Sequence, residues 1–308
     1  MASMPALSPP ALSATYPPEM PDPKRATRPK PTAKTRAPDV TTGASREAPL
    51  SVSLSPNELV AQAAAVLDRV RTRTPRVHCI TNAVAQNFSA NMLLALGAVP
   101  SMTIAPDEVG EFAARADALL VNLGTFDAER RAAAEIAVRS VTGDGVPWLL
   151  DPVFIERSKP RTVFAKELLA QRPRAVRLNH AELAALTGAA LSEPALRVCA
   201  LENDTVLGLT GETDLVTDGT RIARIANGHP LMAKVTAMGC AGSAIAAACL
   251  AVEPDAWRAI TAGLILIGVA GEIAGARATG PGTFAAYMLD AIYALGGTVL
   301  TEQARVAC

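Results

Sequence analysis

The sequence has no surplus of either charge sign and few of the residues that usually bind zinc. Its 308 residues include 29 basic and 29 acidic ones, without the basic excess typical of nucleic-acid-binding proteins. Its three histidines, His78, His180 and His229, are not spaced as metal ligands, and its five cysteines form no Cys-x-x-Cys pair. We therefore expect no nucleic-acid partner, no zinc site and no disulfide framework, as in a cytoplasmic protein.

Long apolar runs are also missing. The longest, from Ala259 to Gly271, has thirteen residues and is bracketed by Arg258 and Glu272. A helix needs about 20 apolar residues to span a bilayer, so this run predicts a buried core helix. The N-terminus lacks the apolar segment of a secretory signal. The sequence thus predicts no membrane partner.

The N-terminal segment differs in composition from the remainder. The first fifty residues hold eleven of the 23 prolines and a basic cluster from Lys24 to Arg36. Such a segment buries too little apolar surface to offset the entropy of ordering it. We predict a disordered extension over 1–54 and a single domain over 55–308. A solvated extension without a function is favoured on composition, and a targeting or docking tail is the alternative.

From Ser55 onward, short apolar stretches alternate with helical ones, which predicts an α/β fold with a mostly parallel central sheet flanked by helices. A small hairpin, Leu215–Thr217 with Arg221–Ile225, is predicted beside that sheet, and the chain from Cys240 onward is predicted to be helical. The predicted strands are Val77–Ile80, Val99–Met102, Ala118–Asn122, Trp148–Asp151, Ala175–Leu178 and Val206–Thr210. The predicted helices are a first one from Pro56 to Val70, then Asn87–Leu96, Pro106–Arg115, Ala128–Val141, Thr162–Gln171 and Ala181–Thr187.

Polar side chains collect where the predicted strands end. In an open parallel sheet, ligands bind at the edge formed by the carboxyl ends of the strands. Any one of these residues could be an ordinary loop cap, but their coincidence at one edge predicts a binding site. They are Asn82, Thr103, Asn122, Thr125, Asp151, Asn179, Glu182 and Thr210.

Several of these residue types suit a phosphorylated ligand. Asp151 and Glu182 offer the oxygen ligands that Mg²⁺ takes beside phosphates and water. The planar guanidinium of Arg177 suits phosphate oxygens, and the hydroxyl of Thr210 could contact a nucleotide. A surface ion pair between Arg177 and Glu182 is the alternative explanation for those two residues.

A turn of small residues, Gly239-Cys240-Ala241-Gly242, precedes an apolar run. Such a turn lets the backbone approach an anion, and the free N–H groups of a following helix would point at it. A thiol at the helix start would favour its thiolate form. A close-packed helix with a buried cysteine is the alternative. Because no Gly-x-x-x-x-Gly-Lys-Ser/Thr motif is present, these parts predict phosphoryl transfer without a P-loop.

The chain from about Pro56 onward resembles the hydroxyethylthiazole kinase family of thiamine salvage, within the ribokinase-like superfamily. The matching motifs run in order over some 250 residues. They are Cys79-Ile-Thr-Asn82, Asn87-Phe-Ser-Ala-Asn91, Leu93-Leu-Ala-Leu-Gly-Ala98, Asn122-Leu-Gly-Thr125, Asp151-Pro-Val153, Arg177-x-Asn179-x-x-Glu182, Thr210-Gly-Glu-Thr-Asp214, Asn227-Gly-His-Pro-Leu-Met232, Lys234-Val-Thr236 and Gly239-Cys240.

The resemblance implies ATP-dependent phosphorylation of 4-methyl-5-(2-hydroxyethyl)thiazole on its side-chain hydroxyl, with Mg²⁺ as cofactor. It also implies roles for individual residues. These are Met102, Asn82 and Ala237 for the thiazole, Arg177 and Thr210 for ATP, Asp151 and Glu182 for the metal, and Gly239 with Cys240 for an anion hole.

Cys240 stands where ribokinase relatives carry an aspartate taken as the base. An unperturbed thiol is a weak base at neutral pH, so we assign Cys240 to the acceptor hydroxyl without requiring it to remove the proton. The resemblance further implies a homotrimer with sites between subunits, in which Asn82 and Met102 meet Cys240 across an interface.

Two departures from the family pattern stand beside the predicted site. The family's Gly-Thr-Gly-Cys is here Ala237-Met238-Gly239-Cys240, and its glycine-rich run after Asp-Pro-Val is here Phe154-Ile155-Glu156-Arg157. If the first position requires a left-handed backbone, Ala237 is strained there. These changes leave two alternatives open: a small-alcohol kinase with a changed acceptor, or a catalytically weak thiazole-binding relative.

Overall fold

The computed structural model describes residues 54–188 and 192–308. The predicted disordered extension over 1–54 therefore lies, except for Leu54, outside the described residues. From Leu54 onward the described residues belong to one compact unit. The extension and its boundary stay predictions.

The described strands form a single nine-stranded sheet in the order β2-β1-β3-β4-β5-β6-β7-β8-β9. Strands β1 to β6 pair in parallel, and β7, β8 and β9 are added in antiparallel fashion beside β6. Their bounds are β1 Arg76–Ile80, β2 Val99–Ser101, β3 Ala118–Asn122, β4 Trp148–Asp151, β5 Ala175–Asn179, β6 Val206–Thr210, β7 Asp214–Thr217, β8 Ile222–Ile225 and β9 Val306–Ala307.

Helices cover both faces of this sheet. They are α1 Pro56–Arg73, α2 Gln86–Leu96, α3 Val109–Ala114, α4 Ala128–Asp144, α5 Lys159–Leu169, α6 His180–Thr187, α7 Glu193–Glu202, α8 Met238–Leu250, α9 Ala256–Arg277, α10 Pro281–Ala294 and α11 Gly297–Gln303. Because side chains alternate along a strand, Leu120 of β3 joins the core under α1, α2, α8, α9 and α10. Its neighbours Leu119 and Val121 join the core under α3 to α7.

The predicted fold class is confirmed, including the hairpin of β7 and β8. Two elements were missed. Strand β9 has only two residues, too few for a period-2 pattern. The buried apolar residues of α7, Leu196, Cys199 and Ala200, span little more than one turn, which is too short for a clear helical period. Helix α3 begins at Val109 rather than Pro106, because the residues before it form a turn in which Glu108 N–H donates to Ala105.

Helices α8 and α9 pack backbone against backbone. Eleven of the thirteen residues of α8 are buried, and a Cβ added at Gly263 of α9 would lie 2.9 Å from the Cα of Ala246. By length and composition α9 could cross a bilayer, but 78% of its most apolar window is buried inside the protein. The prediction of a buried core helix is confirmed.

Candidate active site

The carboxyl edge of the sheet, where β1 and β3 to β6 end, gathers most of the predicted polar residues. Register pairs Asn122 of β3 with Asp151 of β4, and Asn179 of β5 with Thr210 of β6. The start of α8 lies against the same edge, since Ser243 Oγ in its second turn donates to Asp151 Oδ2 at 2.8 Å. The sheet and one helix terminus thus bring the site together.

Asp151 is the buried carboxylate at the centre of this edge, with only 3% of its surface exposed. Its Oδ2 accepts from Asn122 Nδ2 at 2.6 Å as well as from Ser243. Among the described residues no hydrogen bond reaches Oδ1. Burial raises the pKa of Asp151, against the opposing effects of the Arg177 charge and of the two donors. One oxygen is therefore held by the protein and the other is available to a ligand.

Glu182 holds the start of α6 and faces the same mouth. Its Oε2 accepts from Asn179 N–H at 2.8 Å in a capping box, and its Oε1 accepts from Phe154 N–H at 3.1 Å. Burial, followed by the nearby charge of Asp151, raises the pKa of Glu182 to about 7. The charge of Asp151 thus opposes the ionisation of Glu182, and two such carboxylates form a donor set that fits a divalent cation.

Cys240 lies in the first turn of α8, where its sulfur accepts from Asn82 Nδ2 at 3.1 Å. The expected thiolate is wrong: burial and the charge of Asp151 raise the pKa of Cys240 to about 11. These two effects outweigh the Asn122 and Asn82 amides and the charge of Arg177, all of which lower that pKa. The Asn82 contact also forms within one chain, so Asn82 does not need a subunit interface to meet Cys240.

Arg177 contacts the start of α8 instead of forming the alternative ion pair with Glu182. Its Nη1 donates to the Gly239 carbonyl at 2.9 Å and lies 3.4 Å from Ser243 Oγ. Its Nε is buried and has no partner among the described residues. The guanidinium therefore stands beside the free N–H groups of α8, as the predicted anion site requires.

A cavity of about 580 Å³ opens next to Arg177. Thr210, Asp214, Met238 and Gly239 are among its lining residues, so the two predicted ATP-binding residues share one cavity. The hydroxyl of Thr210 donates to the Leu178 carbonyl at 3.3 Å. A cavity of this size, with a cation on one side, suits a nucleotide.

Three other predicted strand-end residues stand apart from this cluster. Met102 packs, partly buried, against the core beneath α8 and α9. Thr103 accepts from Ala105 N–H at 3.4 Å, and Thr125 accepts from Ala83 N–H at 3.1 Å. The two threonines are loop caps.

Both departures from the family pattern place a non-glycine residue in the left-handed region. Ala237, immediately before α8, has φ 68° and ψ −1°, and Phe154 has φ 60° and ψ 27°. Ala237 thus has the left-handed backbone that a residue with a Cβ adopts only under strain, which costs about 1–2 kcal/mol of stability. Met238 is 4% exposed, so its side chain belongs mostly to the core.

Three further residues shape the site and were not singled out from the sequence. Ser243 lies four residues after Gly239, one turn along the same face of α8, which is the spacing that could have revealed it. A Cβ at Gly124 would lie 2.6 Å from Asn82 Nδ2. Arg161 Nη1 donates to the carbonyls of Leu123, Gly124 and Val153 and so joins the loops after β3 and β4.

The sequence and the fold both match known proteins. A family model described as the hydroxyethylthiazole kinase family matches residues 67–297. The chain is 43% identical over 246 residues to the probable hydroxyethylthiazole kinase of Agrobacterium fabrum, covering 80% of this chain and 95% of that protein. It is 45% identical over 237 residues to the hydroxyethylthiazole kinase of Klebsiella pneumoniae strain 342, covering 73% and 92%.

Solved structures show the same likeness. The hydroxyethylthiazole kinase of Pyrococcus horikoshii superposes with a TM-score of 0.76 at 36% identity, over 80% of this chain and 98% of that one. A ribokinase-like protein from Enterococcus faecalis superposes with a TM-score of 0.57 at 13% identity, over 72% and 88%. The second match shows the fold alone.

Proposed function

Because this chain belongs to the hydroxyethylthiazole kinase family, we propose that it transfers a phosphoryl group from ATP to the hydroxyl of 4-methyl-5-(2-hydroxyethyl)thiazole, in thiamine salvage. The observation that carries the proposal is the meeting of Asp151, Arg177 and Cys240 at the first turn of α8. Phosphoryl transfer depends mainly on positioning and on stabilising charge at the transferred group. The site has parts for both.

The transferred group would lie against the start of α8. The N–H groups of Gly239 and Cys240 belong to the first turn, where a helix offers its own donors no acceptor. They would donate to phosphoryl oxygens, and Arg177 would add its positive charge from the side. Thr210 and the adjoining cavity would hold the nucleotide.

We assign Mg²⁺ to Asp151 and Glu182. Both carboxylates are buried: Asp151 ends β4, and Glu182 lies in the first turn of α6, directly after β5. Asp151 keeps Oδ1 without a hydrogen bond to any described residue. A bound Mg²⁺ would neutralise charge on the phosphates. Each oxygen of Glu182 accepts one backbone N–H and keeps a further lone pair with which to act as a ligand.

Cys240 would orient the acceptor alcohol as a neutral thiol. Because its pKa is raised to about 11, it holds its proton at neutral pH and is not suited to act as the base. Asn82 lies beside it with a buried Oδ1 that has no partner among the described residues. That oxygen would accept the hydrogen of the substrate hydroxyl. Met102, which stands apart from Cys240 within one chain, would line the apolar side of the thiazole pocket across a subunit interface.

A homotrimer with sites between subunits is part of the proposal. The family resemblance supports it, and sedimentation of the purified chain would test it. Asn82 and Cys240 already meet within one chain, so a partner subunit is needed only for the remaining wall of the thiazole pocket.

The test is ADP release with Mg²⁺-ATP, with and without the thiazole alcohol, in wild type and Cys240→Ala. We expect thiazole-dependent release, reduced in the variant by about 10-fold to 100-fold. Absence of thiazole-dependent release in the wild type would overturn the proposal. Cys308→Ala removes an exposed cysteine that directly follows β9 and is the matched control. This variant should turn over the substrate at the wild-type rate.

The left-handed Ala237 favours one second candidate, a relative that binds thiazole but transfers phosphate poorly. A panel of hydroxyalkyl heterocycles distinguishes it from an altered acceptor. The weak relative would show a thiazole-dependent rise in melting temperature without turnover of any alcohol, whereas an altered acceptor would give turnover of a different alcohol.

A further inference from the structure

A continuous chain of buried polar groups connects Asp151 to Cys240. Asn122 Nδ2 donates to Asp151 Oδ2 at 2.6 Å, and Asn82 Nδ2 donates to Asn122 Oδ1 at 3.1 Å. The same Asn82 nitrogen lies 3.1 Å from Cys240 Sγ. Asn122 and Asn82 are 2% and 5% exposed, so no bulk water competes for these contacts.

The carboxylate fixes the direction of every hydrogen bond in this chain. An ionised carboxylate only accepts, so Asn122 must present its NH₂ group to Asp151. The Asn122 carbonyl then faces two donors, Asn82 Nδ2 and Gly124 N–H at 3.0 Å. Asn82 must therefore present its own NH₂ group, which has one hydrogen for Asn122 and a second for Cys240. Reversing either amide would set like groups against each other.

We propose that Asn122 is a positioning residue that couples Asp151 to Cys240, by fixing the Asn82 amide that holds the sulfur. Its role in turnover rests on the proposed function, whereas the coupling itself is a property of the free protein. Ser243 also donates to Asp151 Oδ2, but among the hydrogen bonds of the described residues none joins it to Asn82. Asn122 and Ser243 thus stabilise the same oxygen, and only Asn122 passes its orientation on to the thiol.

The coupling is tested by the rate at which iodoacetamide alkylates Cys240, followed by mass spectrometry of its peptide at one fixed alkaline pH. The thiolate is the reacting form, and the Asn82 N–H stabilises it. In Asn122→Leu the Asn82 amide loses its anchor, and Cys240 also loses the stabilising effect of the Asn122 amide itself, so alkylation should slow by about threefold to tenfold. The kcat for the thiazole alcohol should fall by about 10²-fold, with its KM changed far less.

Two matched variants separate coupling from a general loss of buried polar contacts. Ser243→Ala removes a donor from the same carboxylate and should leave the alkylation rate within twofold of wild type. Thr205→Val removes a buried hydroxyl that donates to the Pro173 carbonyl at 2.7 Å, at the opposite edge of the sheet. It should lower the melting temperature without changing alkylation. If Asn122→Leu does not fold, Asn122→Ser carries the same prediction, since its hydroxyl is too short to serve both neighbours.

Unchanged or faster alkylation in the Asn122 variant would overturn the coupling, and so would an equal slowing in Ser243→Ala. These outcomes do not depend on the substrate. If the wild type fails to phosphorylate the thiazole alcohol, the proposed function falls, and the alkylation rates still decide whether Asn122 couples the two groups.

Discussion

The two edges of the central sheet hold charged side chains in different ways. At the amino edge, where β1 and β3 to β6 begin, charges form exposed ion pairs such as Arg76–Asp117 at 3.2 Å and Arg172–Asp204 at 3.7 Å. At the carboxyl edge, Asp151 and Glu182 are buried and their pKa values are raised. Exposed ion pairs contribute about 0–1 kcal/mol each to stability. A buried carboxylate instead lowers stability unless a partner or a bound ligand compensates its charge.

This difference supports placing the proposed active site at the carboxyl edge. The amino edge is built so that its charges are hydrated or paired. The carboxyl edge keeps a carboxylate oxygen, the Asn82 carbonyl oxygen and the Arg177 Nε without partners among the described residues. Buried groups without partners also occur elsewhere among the described residues, for example Arg69 Nε and Arg258 Nε. It is the position of the Asn82 oxygen and the Arg177 Nε beside the start of α8 that fits a site completed by a ligand.

The largest effect is expected from neutralising the carboxyl edge with Asp151→Asn. The new amide oxygen can still accept from Asn122 and Ser243, so the melting temperature should stay unchanged or rise. Turnover should fall by about 10²-fold to 10³-fold, because the negative charge is lost. Asp117→Asn at the amino edge is the control and should keep wild-type turnover. Equal losses in both variants would contradict the contrast between the edges.

His78 is a buried titratable residue outside the proposed site, so it tests the effect of burial on stability separately from activity. His78 of β1 is fully buried, and burial lowers its pKa to about 4, against smaller opposing effects from Thr103 and Glu108. Because the pKa of His78 is lower in the folded than in the unfolded protein, protonation favours unfolding. The free energy of unfolding should therefore be at its full value above pH 6.5 and should fall as the pH drops towards 4.

Over that window the free energy of unfolding should drop by up to about 3 kcal/mol through His78 alone. Urea unfolding at several pH values measures the drop, which should be smaller in His78→Gln. Identical slopes for the two proteins would show that His78 does not couple folding to pH.

A smaller effect is expected from Gly124→Ala, which tests the packing behind the site. The added Cβ would lie 2.6 Å from Asn82 Nδ2, so the Asn82 side chain must shift, and its 3.1 Å contact with Cys240 should be disturbed. The kcat should fall by about 10²-fold. Gly143→Ala of α4, where a Cβ meets nothing within 4 Å, is the matched control and should change only stability, slightly upward. Full activity in Gly124→Ala would show that the site tolerates displacement of Asn82.

The smallest effect concerns left-handed residues, which occur at both edges. Thr74 has φ 44° after the end of α1, an ordinary place for this conformation, whereas Ala237 has it just before α8 begins. Ala237→Gly should stabilise the protein by about 0.5–1 kcal/mol, since relief of strain exceeds the added freedom of the unfolded chain.

Thr74→Gly should stabilise it similarly in guanidinium unfolding. Only Ala237→Gly should also lower the KM for ATP, because only Ala237 adjoins the phosphate site. An equal change of the KM for ATP in both variants would show that Ala237 has no special role in the proposed phosphate site.

The sequence carried enough information to predict the parallel sheet and the identity of its polar edge. Strand ends are visible as polar residues after apolar runs, so Asn82, Asn122 and Asp151 could be assigned to one edge. Their hydrogen bonds could not be predicted, because they depend on β1, β3 and β4 being spatial neighbours. The shift in the pKa of Cys240 was predicted in the wrong direction, because the local sequence pattern indicates a helix start but not that the thiol is buried.

The close contact of Gly263 with Ala246 has a consequence for how this protein tolerates mutation. Ala246 lies six residues, or about 9 Å, along α8 from Cys240. A larger residue at either contact position would push α8 along its axis or away from α9, and the thiol would move with it. Substitutions in this apolar interior are thus limited by the requirements of turnover as well as by those of folding. A screen for impaired turnover should therefore recover variants whose altered residue does not contact a ligand.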